Sequence, residues 1–323
     1  METQNNARVA VLLPTYNGTR YIEPQIKSLK ENATPFTLHW LDDHSTDNTR
    51  EIVRAAARTS RIDLREWHQP QHQGHPGAFF QLLECVDADI YLFCDQDDIW
   101  ERGKIDATVA NLIPDVGTAA LCFSQSLIFR DDQPGVLQGV FEFMGARIDV
   151  GLQESRLFTF NPAQGNTVGF TRPLRDLFLS HKDIARTYAP THDWWMYLIA
   201  VASGKFRMLS EVPTVLYRLH ASNTVGVYFG WKGLTHIARK WRLQQANRRW
   251  SSRMAQGFCR ASVTLPPGPK LDRLLALARV VATLDRRQSP AALVRLALRG
   301  ALPPGRALSV WLAAACLWSD AKA

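Results

Sequence analysis

Short apolar segments near the start of the chain each end in a cluster of polar residues, and this arrangement most constrains the fold. Val9 to Leu13 precedes Pro14-Thr15-Tyr16-Asn17, Phe36 to Leu41 precedes Asp42-Asp43, and Ile90 to Cys94 precedes Asp95-Gln96-Asp97-Asp98. Strands without alternation that are separated by helical patterns are typical of a parallel sheet covered by helices on both faces. Because ligands of such sheets bind at the carboxyl ends of the strands, the three polar clusters are predicted to meet at one site.

The intervening patterns extend this α/β alternation. A helix is predicted to begin at Ser45 or Thr46, whose hydroxyls can accept hydrogen bonds from the free N–H groups of a helix start, and to run to about Arg58. Further strands are predicted over residues 62–67 and 118–129.

Positive charge is concentrated towards the carboxyl end of the chain. From Phe229 to Ala323 there are 17 Lys and Arg residues and 3 Asp and Glu residues, whereas the first 228 residues have 21 and 27. This contrast predicts a domain over residues 1–228 and a basic extension over residues 229–323, with helices near 231–254, 271–284, 291–298 and 307–317. The extension is expected to contact an anionic membrane surface or a second subunit, which would give a homodimer.

The sequence lacks features that are typical of disulfide-rich, secreted, membrane-spanning and nucleic-acid-binding proteins. The five cysteines form no Cys-x-x-Cys pair, which favours reduced core thiols in a cytoplasmic protein, and no signal peptide is expected. The uncharged apolar run over residues 307–319 has 13 residues, fewer than the roughly 20 of a spanning helix. Nucleic-acid binding is the alternative from another class, but no zinc-finger or RNA-recognition motif is present, so no specific nucleic acid is expected.

The acidic clusters have both a chemical and a structural interpretation. Asp95 and Asp97 at a strand end can bind a hard divalent cation, whereas an isolated D-x-D would form a solvated turn. Crowded acids beside an apolar strand repel one another unless a cation offsets their charge, and this favours the metal interpretation. Asp42-Asp43 could cap the following helix, or a carboxylate could accept the ring N–H of a pyrimidine on which Tyr16 stacks.

Taken together, the polar clusters resemble those of family 2 glycosyltransferases, which have the GT-A fold. Three later motifs are similar to those of bacterial rhamnosyltransferases, and the resemblance covers about residues 8–228. These motifs are Gly165-Asn166-Thr167, His192-Asp193-Trp194-Trp195 and Tyr217-Arg218-Leu219-His220-Ala221-Ser222-Asn223. The resemblance implies a mostly parallel central sheet with helices on both faces, plus the helical extension.

The resemblance also implies a reaction. This is the metal-dependent, inverting transfer of a hexose from a nucleotide diphosphate sugar to a hydroxyl of a growing, lipid-linked cell-surface polysaccharide. The subgroup implies dTDP-L-rhamnose as donor and Mg²⁺ or Mn²⁺ as cofactor; a UDP- or GDP-hexose is the alternative. The expected location is the cytoplasm, peripheral to the inner face of the bacterial membrane.

Roles for individual residues follow from the same resemblance. Asp193 is implied as the catalytic base. The implied nucleotide-sugar contacts are Pro14, Thr15, Tyr16, Asp43 and Asp95; the implied metal ligands are Asp95, Asp97 and His220; the implied acceptor or diphosphate contacts are Asn166, Trp194, Trp195, Arg218 and His220.

Several of these roles have structural alternatives. Trp194 and Trp195 could pack in the core, and His220 could be a structural histidine. Contacts from residues 71–77 are left open, since relatives often have Asn-x-Gly there, and His68, His72 and His75 are not expected to form a metal site.

The residues around Asp193 support its implied role independently. A single base can take the proton of the acceptor hydroxyl while its oxygen attacks the anomeric carbon from the face opposite the diphosphate. The apolar Trp194, Trp195 and Met196 would raise the pKa of the Asp193 carboxyl and strengthen it as a base. The structural alternative is that His192-Asp193 only caps a helix.

Overall fold

A computed structural model describes residues 7–131, 137–143, 152–209, 214–220 and 249–283 of the 323-residue chain. The chain divides into two compact units. The first comprises Met1–Met144, Ala163–Lys182 and Thr191–Val227, and the second comprises Gly145–Pro162, Asp183–Pro190 and Tyr228–Ala323. The second unit therefore also includes two segments that precede residue 228.

The first unit alternates strands and helices. Its strands are β1 (Val9–Thr15), β2 (Thr37–Asp42), β3 (Asp63–Trp67), β4 (Ile90–Phe93), β5 (Ile99–Trp100), β6 (Ala120–Phe123), β7 (Ser126–Phe129), β8 (Gln138–Gly139), β9 (Gly169–Thr171), β10 (Lys205–Met208) and β11 (Val215–Arg218). Its helices are α1 (Ile22–Leu29), α2 (Thr49–Ser60), α3 (Gly74–Cys85), α4 (Lys104–Leu112), α5 (Val140–Phe143), α6 (Arg172–Ser180) and α8 (His192–Ser203); α7 (Lys182–Tyr188) lies between the last two in the chain.

Seven strands form the central sheet of the described chain, in the order β10-β6-β9-β4-β1-β2-β3. The pairs β1–β2, β1–β4, β2–β3 and β6–β10 are parallel, and β9 runs antiparallel to β4 and β6. Residues 10–13 of β1 and all of β4 are fully buried, as expected for strands covered on both faces. The predicted α/β fold with a mostly parallel sheet is confirmed.

The register of this sheet positions the site. Thr15 at the end of β1 pairs with Asp42 at the end of β2, and Leu12 pairs with Phe93 at the end of β4. The polar residues that follow all three strands therefore lie at one edge of the sheet, as predicted. A second sheet, in the order β5-β11-β7-β8, lies in the same unit and places Arg218 beside Phe129.

Two local predictions were wrong. The strand predicted over residues 118–129 is two strands in different sheets, because the chain leaves the central sheet at Ser124-Gln125. Helix α2 begins at Thr49 and not after Ser45 or Thr46. The Ser45 hydroxyl instead donates to Asp42 Oδ1 (2.6 Å), and Asp47 Oδ1 accepts the Thr49 N–H (3.1 Å), so Asp47 satisfies the helix start.

In the second unit, helix α7 (Lys182–Tyr188), helix α9 (described over residues 249–261) and helix α10 (Pro269–Val281) are described. The rings of Phe158 and Phe258 pack edge to face with centroids 5.3 Å apart. Helix α10 confirms the prediction near residues 271–284, whereas the helices predicted over 291–298 and 307–317 lie outside the described residues. Within the described ranges no helix is long and apolar enough to cross a bilayer.

Candidate active site

The loop after β1 is held against the loop after β4 by one glutamine. Gln96 Oε1 accepts the Tyr16 N–H (2.9 Å), and Gln96 Nε2 donates to the Tyr16 carbonyl (3.1 Å). A Cβ on Gly18 would lie 2.5 Å from Gln96 Oε1, so a glycine lets this amide approach the backbone. The middle residue of the D-x-D motif thus fixes the position of Tyr16.

Asp43 connects the loop after β2 to the start of α3. Its Oδ1 accepts the Gln73 N–H (2.8 Å) and the Gln69 amide, and its Oδ2 accepts the Gly74 N–H (2.8 Å) and lies 3.0 Å from His72 Nδ1. Only 2% of Asp43 is exposed. In this structure the predicted base-binding carboxylate therefore caps α3 and organises residues 69–74.

Tyr16 is the exposed member of the predicted nucleotide contacts. It is 45% exposed, and its ring lies 4.5 Å from that of His72 at an interplanar angle of 43°. Thr15 is buried and accepts from Trp40 Nε1 (2.9 Å), and Pro14 is half-buried within β1. Tyr16 and His72 together present aromatic surface at the sheet edge.

Each carboxylate of the D-x-D motif faces a histidine. His220 Nε2 lies 3.0 Å from Asp97 Oδ2, and His75 Nε2 lies 3.5 Å from Asp95 Oδ1. The His220 ring also stacks on Tyr21, with centroids 4.6 Å apart and an interplanar angle of 20°. The structure therefore brings together all three predicted metal-binding residues at this sheet edge, although it separates their contacts into two His–Asp pairs.

Asp98 anchors the acidic loop, residues 95–98, to two other segments of the chain. It is fully buried, its Oδ2 accepts from Asn166 Nδ2 (2.5 Å), and its Oδ1 accepts the Arg218 N–H (3.1 Å). Burial, followed by the charges of Asp97 and Asp95, raises the pKa of the Asp98 carboxyl well above its usual range. Asn166, which is 2% exposed, is thus a partner of Asp98 in this structure.

Arg218 ties the same loop to the second sheet. Its Nε donates to the Asp97 carbonyl (2.9 Å), and its Nη1 pairs with Asp131. The guanidinium lies over the rings of Tyr21 (5.0 Å) and Phe129 (4.5 Å). The Arg218 side chain is buried and fixes the backbone from which Asp97 projects.

Asp193 lies in the first turn of α8. Thr191 occupies the N-cap position, and Asp193 Oδ2 accepts the Gly165 N–H (2.9 Å) while Oδ1 accepts the Trp194 N–H (2.8 Å). Burial raises the pKa of the Asp193 carboxyl, and its hydrogen bonds and the charge of His75 act in the opposite direction. The raised pKa agrees with the effect predicted from the apolar neighbours.

His192 lies beside Asp193 in an aromatic cluster. Its ring stacks on Phe79 (4.0 Å) and lies 5.2 Å from the ring of His75. Both ring nitrogens are buried without a hydrogen-bond partner in the described chain. Burial, with a smaller effect of the charge of His75, lowers the pKa of His192 well below its usual value and so favours the neutral imidazole.

The two tryptophans after Asp193 pack inside the first unit. Trp195 is 0% exposed and Trp194 is 9% exposed. Their predicted role in acceptor contact stays a prediction, and the structure shows both in the core.

The residues at the acidic loop fit a divalent cation that also binds a diphosphate. In the described part of the chain, no three His, Cys, Asp or Glu side chains are grouped as a metal site. A magnesium-type ion, however, needs only one or two carboxylates, since substrate phosphates and water complete its shell. Asp97 and Asp95 could supply the carboxylate oxygens of such a site, and His220 could supply a nitrogen.

Sequence reasoning missed several residues that organise the site. Gln96, Asp98, His75 and Gln73 were given no role in it. Gln96 and Asp98 carry no signal of their own beside the acids of the D-x-D motif. The glycine that precedes His75 was the available signal, because it permits a backbone turn into the site.

Comparison with known proteins agrees with this geometry. Residues 10–148 match the family Glycosyl transferase family 2. The chain is 26% identical over 249 residues to the dTDP-rhamnosyl transferase RfbG of Shigella flexneri, covering 71% of this chain and 80% of that protein.

Two solved structures have a similar fold. The structure of S. aureus TarS in complex with UDP aligns with a TM-score of 0.54 and 18% identity, over 87% of this chain and 73% of that one. The mannosyltransferase PcManGT from Pyrobaculum calidifontis, in complex with GDP-Man and Mn²⁺, aligns with a TM-score of 0.51 and 19% identity, over 97% and 85%. Residues 10–148 therefore form a domain of Glycosyl transferase family 2, and the described chain has the GT-A fold.

Proposed function

We propose that this glycosyltransferase transfers a hexose with inversion, in a metal-dependent reaction, from a nucleotide diphosphate sugar to a hydroxyl of a growing glycan. The observation that carries the proposal is the 3.0 Å contact between Asp97 and His220. It joins the acidic motif after β4, which lies in the family 2 domain, to the last of the family-like motifs, 123 positions later.

In this reaction Asp193 is the general base. Its carboxylate takes the proton of the acceptor hydroxyl as that oxygen attacks the anomeric carbon from the face opposite the diphosphate, and the configuration inverts. The Gly165 and Trp194 N–H groups orient the carboxylate, and burial raises its proton affinity. One carboxylate suffices, in contrast to the pair that glycoside hydrolysis requires.

The donor is held at the carboxyl ends of β1, β2 and β4. Tyr16 stacks on the base, Asp43 supports the loop of residues 69–74 beside it, and Asp95, Asp97 and His220 would hold the cation. When bound, Mg²⁺ or Mn²⁺ neutralises the negative charge that develops on the leaving diphosphate. The Mn²⁺ and GDP-Man in the PcManGT structure support this assignment.

The proposed donor is dTDP-L-rhamnose. Support comes from the relative RfbG, which is a dTDP-rhamnosyl transferase. The UDP and GDP-Man of the two similar structures make a UDP- or GDP-hexose the alternative. The proposed acceptor is a lipid-linked polysaccharide, reached from the cytoplasmic membrane surface to which the basic second unit binds.

Ligand-dependent thermal stabilisation tests this function. The protein is heated with dTDP, UDP or GDP, each with and without Mn²⁺ or Mg²⁺. A ligand that binds only the folded state raises Tm, so the cognate nucleotide should stabilise the protein only when metal is present. Stabilisation by none of the nucleotides in either condition would contradict the proposal, and the most effective nucleotide identifies the donor class.

A further inference from the structure

The backbone at residue 75 is fixed from two sides. Gly74 has a left-handed φ of +74°, which residues with a side chain rarely adopt. The Asp43 carboxylate accepts the N–H groups of both Gln73 and Gly74 at 2.8 Å. The first turn of α3 therefore presents His75 to the sheet edge in a single position.

The His75 side chain lies between the acidic loop and the start of α8. Its Nε2 is 3.5 Å from Asp95 Oδ1, and its ring packs against Phe79 (5.3 Å, edge to face) and His192 (5.2 Å). Its side chain is 31% exposed, so solvent or a ligand can reach part of the imidazole. No other histidine in the described residues contacts Asp95.

The negative charges near His75 come from both the acidic loop and the start of α8. The Asp95 carboxylate contacts Nε2, and the charges of Asp193 and Asp97 also act on the imidazole. The carboxylates of the D-x-D motif and of the proposed base thus surround one imidazole. An apolar side chain could fill the same space against Phe79 and His192, but it could not bind Asp95.

We propose that His75 is a positioning residue of the donor site, which holds the Asp95 carboxylate through Nε2–H and thereby sets the affinity for the metal–nucleotide diphosphate. The inference rests on the proposed function, because it assigns Asp95 to donor binding. Since Asp95 accepts the hydrogen bond, Nε2 carries the proton. The role needs a donor N–H at that point, and not an imidazole as such.

The test compares His75→Ala and His75→Gln with the parent chain. A glutamine amide can place an N–H close to the position of Nε2, whereas alanine cannot. His68→Ala is the matched control, because His68 is exposed on the loop that precedes α3. Stabilisation by the cognate nucleotide diphosphate is measured as Mn²⁺ is titrated, together with the donor KM, the acceptor KM and kcat.

Loss of a hydrogen bond to a charged group lowers affinity by roughly tenfold to a hundredfold. His75→Ala should therefore raise the donor KM and the Mn²⁺ concentration for half-maximal stabilisation by that factor, with the acceptor KM unchanged. His75→Gln should recover most of this loss, and His68→Ala should match the parent.

Two outcomes would overturn the inference while the proposed function stands. One is a parent chain stabilised by nucleotide and Mn²⁺ with His75→Ala stabilised equally at every Mn²⁺ concentration. The other is His75→Gln as defective as His75→Ala when both have the parent Tm without ligand. A parent chain that responds to no nucleotide overturns both proposals.

Discussion

His220 lies 3.0 Å from Asp97 although 123 positions separate them in the chain. The contact exists because β11, which ends at Arg218, pairs with β5 just after the acidic loop. Arg218 then binds the Asp97 carbonyl, so backbone and side chain of Asp97 are both held from the same short segment.

Asp97→Ala should abolish transfer and metal-dependent nucleotide stabilisation while it leaves the Tm of the ligand-free protein nearly unchanged. The Asp97 side chain, which is 19% exposed, is proposed to bind the cation, whereas hydrogen bonds of Asp98 anchor the loop. Thermal unfolding with and without nucleotide and Mn²⁺ checks this. Asp176→Ala, an exposed carboxylate on α6, is the control; normal turnover by Asp97→Ala would refute the metal assignment.

Asp193→Asn should lower kcat by roughly 10²–10⁴, the range for loss of a general base, with the donor KM nearly unchanged. The asparagine keeps an oxygen that can accept the Gly165 N–H, so the helix start is preserved. An equal loss of donor affinity would instead make Asp193 a structural residue.

The pH profile offers a second check on Asp193. Only the ionised carboxylate can accept a proton, and the pKa of Asp193 is raised from 3.8 by burial. The kcat/KM of the parent chain should therefore fall as pH drops below this raised pKa. The residual activity of Asp193→Asn should lack that acidic limb.

The sequence predicted the sheet and the place of the site because both depend on local signals. Short apolar runs and the polar residues that follow them were sufficient to place Tyr16, Asp43 and Asp95 at one edge. The contacts inside the site were not predictable in this way. Asp43 binds residues 69–74, and Asp98 binds Asn166 and Arg218, through pairings that only the tertiary structure creates.

The wrong start of α2 has a similar cause. Ser45 and Thr46 have good capping side chains, but Ser45 is used by Asp42 and Asn17, and the Thr46 N–H donates to Asn17 Oδ1. Tertiary hydrogen bonds close to the candidate site thus outweighed the capping propensity of Ser45 and Thr46.

Lys104→Met should stabilise the protein at neutral pH. Lys104 is fully buried, its Nζ has no hydrogen-bond partner in the described chain, and burial lowers its pKa from 10.5 to about 8. Burial favours the neutral amine in the folded state. The folded protein is therefore most stable above the unfolded pKa of 10.5, where Lys104 is neutral in both states. It loses that stability as pH falls through about 8, where the buried side chain takes up a proton. The cost of the charge at neutral pH is on the order of 3 kcal/mol.

Chemical denaturation of the parent and Lys104→Met at several pH values tests this. The variant should be more stable at about pH 7, and its advantage should shrink towards pH 10 as the parent loses its buried charge. Lys30→Met, at an exposed lysine, is the control. A constant difference between the two proteins across this range would show that the charge of Lys104 is not responsible.

Replacing arginines of the second unit should weaken binding to anionic membranes. This unit has 20 Lys and Arg residues and 6 Asp and Glu residues, and each basic residue near an anionic surface contributes about 1 kcal/mol. Charge substitution is preferable to truncation near residue 230, which would divide a compact unit that includes residues 145–162. The test variant combines Arg286→Gln, Arg287→Gln, Arg295→Gln and Arg299→Gln.

Flotation with phosphatidylglycerol-containing vesicles should be lower for this variant than for the parent, and the difference should fall at high salt because the attraction is screened. A matched control replaces four exposed basic residues of the first unit: Lys30, Arg58, Arg61 and Arg102. This control has the same net charge but should float like the parent, since the proposal assigns membrane binding to the second unit. Equal flotation of all three proteins would refute the membrane role, and a change in oligomer mass with the tail substitutions would instead assign those arginines to contact between subunits.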